Sequence, residues 1–135
     1  MKKILQNAIK CPDGYILNSC EVHDFQEHNG YFVDGGLENY TRCGYPCNDK
    51  DFEPLFIYEN DDFQIKKEKL VWGTYGKNGK NPLKWVKLID CEDDHLKAIL
   101  KIDISDLYKK VINTILEERL FKFRRDKLKK ILQSV

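Results

Sequence analysis

Apolar and polar positions alternate in short runs as far as Leu88, and beyond it apolar residues recur every three or four positions, so the pattern predicts strands first and helices last. Ile4 to Lys10 and Tyr15 to Ser19 flank Pro12-Asp13-Gly14. There proline presets the turn and glycine accepts positive φ, which predicts an opening hairpin. Cys20 to Gln26 alternates Val22 and Asp24 against His23 and Phe25, and His28-Asn29-Gly30 turns that run into Tyr31-Phe32-Val33 as a second hairpin. Asp34-Gly35-Gly36 then supplies two residues without Cβ, where a bulge or a close approach of another backbone is expected. Leu37 to Asp62 loses its period and reads as an irregular loop, with a short helical turn expected over Glu53 to Tyr58. A loop of that length inside a compact domain usually carries function.

A third hairpin is the stretch around which the chain is expected to organise. Val71, Trp72 and Tyr75 on one side, and Leu83, Trp85, Val86 and Leu88 on the other, flank Gly76-Lys77-Asn78-Gly79 with its Asn-Gly turn signal. Both tryptophans lie here, beside Lys77, Lys80, Lys84 and Lys87. Aromatic faces with ammonium groups suit a flat anionic ligand such as a nucleotide. The same residues also fit a plainer role, with the tryptophans in the core and the lysines keeping a ribbon soluble.

After Leu88, Asp90-Cys91-Glu92-Asp93 resembles a helix start, and His95 to Lys101 places Leu96, Ile99 and Leu100 on one face. Ser105 and Asp106 cap a longer helix in which Leu107, Val111, Ile115 or Leu116, Leu120, Phe123, Lys127 or Leu128, and Ile131 recur almost to Val135. About 28 residues at 1.5 Å each give roughly 42 Å, more than a domain of this size covers, so part of the stripe is expected to meet a second copy. The fold class is therefore α+β: an antiparallel sheet of hairpins over 1–89, with the loop 37–62, followed by two C-terminal helices over 90–135, in a single domain.

Composition adds a charge asymmetry. The 135 residues carry a net charge of +1, yet Cys20 to Asp62 holds eleven Asp and Glu against two Lys and Arg, whereas Phe121 to Val135 holds six Lys and Arg against one Asp. Such a split points to an anionic partner or to self-association of unlike surfaces. No apolar run reaches the roughly 20 residues needed to span a bilayer, and Met-Lys-Lys-Ile-Leu-Gln-Asn turns polar too early for a signal peptide, so a cytoplasmic location without membrane partners is expected. Five cysteines in such a chain suggest free thiols or metal ligands before disulfides.

Among candidate sites, Cys43 and Cys47 with His23, His28, Cys11 or Cys20 lack the paired knuckles of a structural zinc site, so no metal is expected. His23 with Asp34 offers a general base and a carboxylate, but no convincing catalytic set forms and the protein is expected not to be an enzyme. Arg119, Arg124 and Arg125 are all the arginines except Arg42, and guanidinium groups bind phosphate bidentately and stack on bases. The expected ligand-binding set is Arg42, Trp72, Tyr75, Lys77, Asn78, Arg119, Arg124 and Arg125.

Val22-His-Asp-Phe25, Val33-Asp-Gly-Gly36 with Tyr40 and Arg42, Trp72-Gly-Thr-Tyr-Gly-Lys-Asn-Gly79 and Asp94-His-Leu-Lys-Ala-Ile-Leu100 resemble a group of small proteins of tailed bacteriophages. Shorter relatives in that group resemble a minimal zinc ribbon, whereas this chain has Cys11-Pro-Asp-Gly14 and His28-Asn-Gly30 where the knuckles would be. The order of elements is also similar to the phage Thoeris anti-defence sponges. That likeness implies an oligomer that sequesters a cyclic ADP-ribose type of signal without cleaving it, inside an infected bacterial host and with no cofactor. The alternative is a protein or nucleic-acid interaction module that inhibits a host defence enzyme through its basic helix.

Overall fold

The computed structural model describes residues 3–21, 23–37, 42–46, 51–76 and 79–133. The architecture is α+β, with antiparallel hairpin sheets followed by helices of which the last is long. The chain divides into two compact units, Met1–Lys87 and Leu88–Val135.

The first unit is built on β1 (Ile4–Lys10). It pairs antiparallel with β2 (Ile16–Ser19) on one edge. On the other edge lie β6 (Glu53–Pro54) and β7 (Ile57–Tyr58). Both faces of β1 are covered, which makes this strand, and not the Trp-rich hairpin, the organising element. Ile9 and Cys11 join Leu17, Tyr31 and Val33 on one face, with Phe52 and Phe56 packed alongside. Ala8 joins Ile16, Leu55 and Val71 on the other, under Trp85.

Two neighbouring buried amides tie those faces down. Gln6 donates from Nε2 to the carbonyls of Leu55 and Lys69, at 2.8 Å each, and accepts from the Val71 N–H at 3.0 Å. Asn7 donates from Nδ2 to the carbonyls of Asp34 (2.9 Å) and Gly36 (3.1 Å). Successive strand residues point to opposite faces, so this pair anchors one layer on each side of β1.

A three-stranded sheet follows, β3 (Gln26–His28), β4 (Tyr31–Asp34) and β5 (Arg42–Gly44), in that order. Asn29 (φ 52°) and Gly30 (φ 88°) both have the positive φ that a two-residue hairpin turn needs. The strand expected over Cys20 to Gln26 is limited to its end. Asp24 accepts from the Cys20 N–H (2.9 Å), and its carbonyl accepts from Ser19 Oγ (2.6 Å), so Asp24 is tied to the end of β2, while Val22 lies outside the described residues. The close approach expected at Asp34-Gly35-Gly36 is present: at φ +57° a Cβ on Gly36 would lie 2.5 Å from the Glu21 backbone.

The helical turn expected over Glu53 to Tyr58 is instead β6 and β7. Leu55 and Ile57, both fully buried, alternate with partly exposed neighbours, and the Leu55 N–H donates to the Ala8 carbonyl at 3.0 Å. A short helix not expected from the pattern, α1 (Phe63–Lys69), precedes the hairpin of β8 (Val71–Thr74) and β9 (Lys84–Lys87).

In the second unit a 3-10 turn (Leu88–Asp90) leads to α2 (Asp93–Leu100) and then α3 (Asp106–Gln133), whose 28 residues match the expected length. The expected stripe is buried at Val111 and Ile115, together with Ile112, but from Leu120 onward every described residue of α3 is exposed. No helix among the described residues is long and apolar enough to cross a membrane.

Among the described residues Cys11 and Cys91 are buried thiols, while Cys20 and Cys43 are exposed. Burial, helped by the nearby Asp13 charge, pushes Cys11 up from an ordinary 9.0 to about 11. The unfolded chain therefore ionises this thiol first, so the stability it contributes is intact below pH 9.0 and lost as pH rises toward 11. Denaturant midpoints measured across that window should fall, and Cys11→Ala should flatten the fall.

Candidate binding pocket at the hairpin loop

The hairpin β8-β9 places Thr74 opposite Lys84, one register step beyond Gly73 opposite Trp85. Trp85 and Leu83 close over the bare backbone of Gly73, where a Cβ would come within 3.0 to 3.3 Å of their side chains. The described ends of the loop beyond are tied to each other and to β8. Asn81 N–H donates to the Tyr75 carbonyl (2.9 Å), Gly79 N–H to the Gly76 carbonyl (3.1 Å) and Gly76 N–H to Thr74 Oγ (3.2 Å).

Against this loop stands Tyr15, delivered by the β1-β2 turn. Tyr15 and the hairpin residues Thr74, Gly76, Asn81, Pro82, Leu83 and Lys84 line a cavity of about 330 Å³. That volume is at the small end for ligand pockets and suits one flat ring system with its substituents at the rim.

Tyr15 is fixed from behind. Its ring stacks on His28 at a centroid distance of 4.2 Å and an interplanar angle of 14°. His28 Nε2 meets Asp13 Oδ2 at 2.6 Å, and Asp13 Oδ1 accepts from the Tyr15 N–H at 3.1 Å. The His28 contact is the main reason that the Asp13 carboxyl is held below its usual range. An aromatic wall, an apolar wall of Pro82 and Leu83, an amide at Asn81 and a cation at Lys84 thus converge on one slot.

The residues expected to bind ligand are distributed unevenly around it. Tyr75 is exposed in the loop, and its carbonyl closes the turn. Trp72 is half-buried in the same hairpin, paired with Val86 on the face that carries Thr74 and Lys84. Lys77 and Asn78 lie outside the described residues. Lys87 sits on the opposite face and pairs with Glu53 at 2.8 Å, a structural tie between β9 and β6.

Arg42 belongs to the other sheet, where Nε and Nη2 both donate to Asp34 Oδ2 (2.9 and 2.6 Å) and hold that carboxyl below its usual range. Asp34 Oδ1 accepts from the Gly35 N–H, so this carboxylate, the one considered as a partner for His23, is committed to the fold. In the second unit Arg119 donates to Asp93 Oδ1 (2.7 Å) and to the Ile89 carbonyl (2.8 Å). Arg124 and Arg125 are exposed on α3. At about 100° per residue, Arg119 and Arg124 point roughly 140° apart, so the three arginines do not share one face.

Among the described residues, no group of three or more His, Cys, Asp or Glu side chains is placed to hold a metal ion. Cys47 lies outside them. Tyr15, Asn81 and the Asp13-His28 support were not legible as site residues, because Tyr15 is brought to the loop from the far end of the unit. Compared with known proteins, the chain matches no family model, no curated protein and no solved structure.

Proposed function

We propose that the protein binds an anionic nucleotide without converting it, and that it serves as a phage anti-defence protein sequestering a cyclic nucleotide immune signal of the cyclic ADP-ribose type. The observation that carries this reading is the slot between Tyr15 and the hairpin loop, with Lys84 at its rim. A base would stack on Tyr15 against Pro82 and Leu83, Asn81 would read its polar edge, and Lys84 would meet a phosphate. Tyr75 and Trp72 extend the same hairpin surface, and the protein assembles with further copies of itself through α3.

Titration calorimetry against cyclic ADP-ribose isomers and cyclic di- and trinucleotides tests the reading, with chromatography of the recovered ligand. Binding with intact ligand is expected. Removal of the stacking ring by Tyr15→Ala should weaken binding by about 5- to 150-fold, the equivalent of roughly 1–3 kcal/mol for one base stack. Lys84→Ala should weaken it less, and both variants should keep the wild-type circular dichroism. No heat with any of these ligands, or their hydrolysis, defeats the proposal.

A second reading, an interaction module that blocks a host enzyme, is favoured by one observation: the exposed basic surface of α3 beyond Leu120. Capture of a stoichiometric host protein, or DNA binding that weakens steeply with salt, would select it.

A further inference from the structure

The two halves of α3 turn their apolar sides in different directions. At about 100° per residue, Val111, Ile112 and Ile115 occupy one arc, whereas Leu120, Phe121, Leu128 and Leu132 centre on an arc roughly 150° away. The first set is buried, and the second is exposed at 49%, 70%, 56% and 67%. Arg124 lies in the middle of the second arc and Arg125 and Lys127 flank it. Over residues 120–133 there are six basic side chains and one acidic.

The first unit carries a surface of the opposite kind. Residues 20–37 contain four Asp and Glu and no Lys or Arg. Within them Phe25, 53% exposed, stacks on Phe32 at 5.3 Å. The Phe32 ring lies against Gly44, whose bare backbone leaves it room, and exposed Glu27 stands opposite Phe32 in the ladder. This is an aromatic patch with Glu27 at its edge; Asp34 on the same face is paired with Arg42, and Asp24 accepts from Cys20 and Gln26, so the negative charge offered to a partner is that of Glu21 and Glu27.

We infer that the exposed half of α3 in one copy docks on the Phe25-Phe32 face of the β3-β4-β5 sheet in another. The contact is head to tail, so repetition gives a closed ring or an open filament. Apolar surface meets apolar surface, and the basic flanks meet Glu21 and Glu27. Pairing α3 with α3 would instead bring two strongly basic segments together. A lipid surface would force Arg124, central on the apolar arc, toward hydrocarbon, whereas a protein face can offer it a carboxylate. The inference rests on the self-assembly part of the proposed function and not on its ligand.

Light scattering coupled to size exclusion, with sedimentation velocity over a concentration series, tests it on substitutions at exposed positions. Wild type is expected to exceed the mass of one chain at tens of micromolar. Phe121→Asp with Leu128→Asp should give a monomer. Arg125→Glu with Lys129→Glu, and separately Glu21→Lys with Glu27→Lys, should each weaken association at least about tenfold, and combining all four should restore most of it.

A monomeric wild type overturns the inference. So does stronger association after reversing the helix charges, which would indicate α3 against α3, or an unchanged mass after reversing Glu21 and Glu27. A monomer that sediments with phosphatidylglycerol vesicles also overturns it in favour of a lipid surface. Nucleotide titration of the Phe121/Leu128 variant keeps the two proposals separable, since a monomer that still binds ligand leaves the Tyr15 pocket standing.

Discussion

Gln6→Leu is expected to be among the most destabilising single substitutions in this protein, at about 3–6 kcal/mol. Leucine fills nearly the same volume but returns none of the three hydrogen bonds that Gln6 makes to Leu55, Lys69 and Val71. Each buried backbone group left without its partner costs roughly 1–3 kcal/mol, and these three belong to the segments that close one face of β1. Against a whole-domain stability of about 5–15 kcal/mol, the loss should lower the melting temperature by more than about 10 °C. Urea unfolding is the direct check: the midpoint should drop with little change in slope. A midpoint within experimental error of wild type would mean that Gln6 is not the anchor its geometry describes.

Gly36→Ala should cost about 2–4 kcal/mol, for two separable reasons. The residue has φ +57°, a left-handed conformation that costs an L side chain about 1–2 kcal/mol. Its Cβ would also fall 2.5 Å from the Glu21 backbone, which has no flexible side chain to move aside. Gly36 N–H donates to Ser19 Oγ, and its carbonyl accepts from Asn7, so any shift to relieve the clash breaks one of those bonds. Gly79→Ala is the control. It has a similar φ of +68° but nothing within 4 Å of the added methyl, so it should show the conformational cost alone. Equal losses at both positions would remove the steric part of the argument.

Local chemistry explains which parts of the fold were legible in the sequence. Pro12-Asp13-Gly14 and Asn29-Gly30 announce their turns without help from distant residues, and the strands beside them follow. The 28-residue α3 was equally readable, because its start signal and its three- and four-residue spacing lie within the segment itself. β6 and β7 were not, since two-residue strands, the first of them ending in Pro54, acquire their conformation only by pairing with β1, far away in sequence. α1 escaped for a related reason: seven residues with a buried Lys67 show no clean apolar face.

The candidate site divides in the same way. Thr74 and Lys84 follow from a hairpin that is visible in the sequence, but Tyr15 joins them only through the tertiary fold. Arg119 was legible as a cation but not as an engaged one, because Asp93 and the Ile89 carbonyl come from other segments of its unit.

The change of face along α3 also bears on how that helix forms. An isolated helix of about fourteen residues is marginal in water, because its first turn is costly to nucleate. Residues 120–133 are all exposed and bury little surface that would offset that cost. Val111, Ile112 and Ile115, held in the packed half, supply the nucleus, and the exposed half is then extended one hydrogen bond at a time. The second half is thus a cooperative extension of the first. A glycine or proline near Leu116 would separate the two and leave the basic segment to search for its conformation in each encounter, adding an entropic cost that the continuous helix has already met.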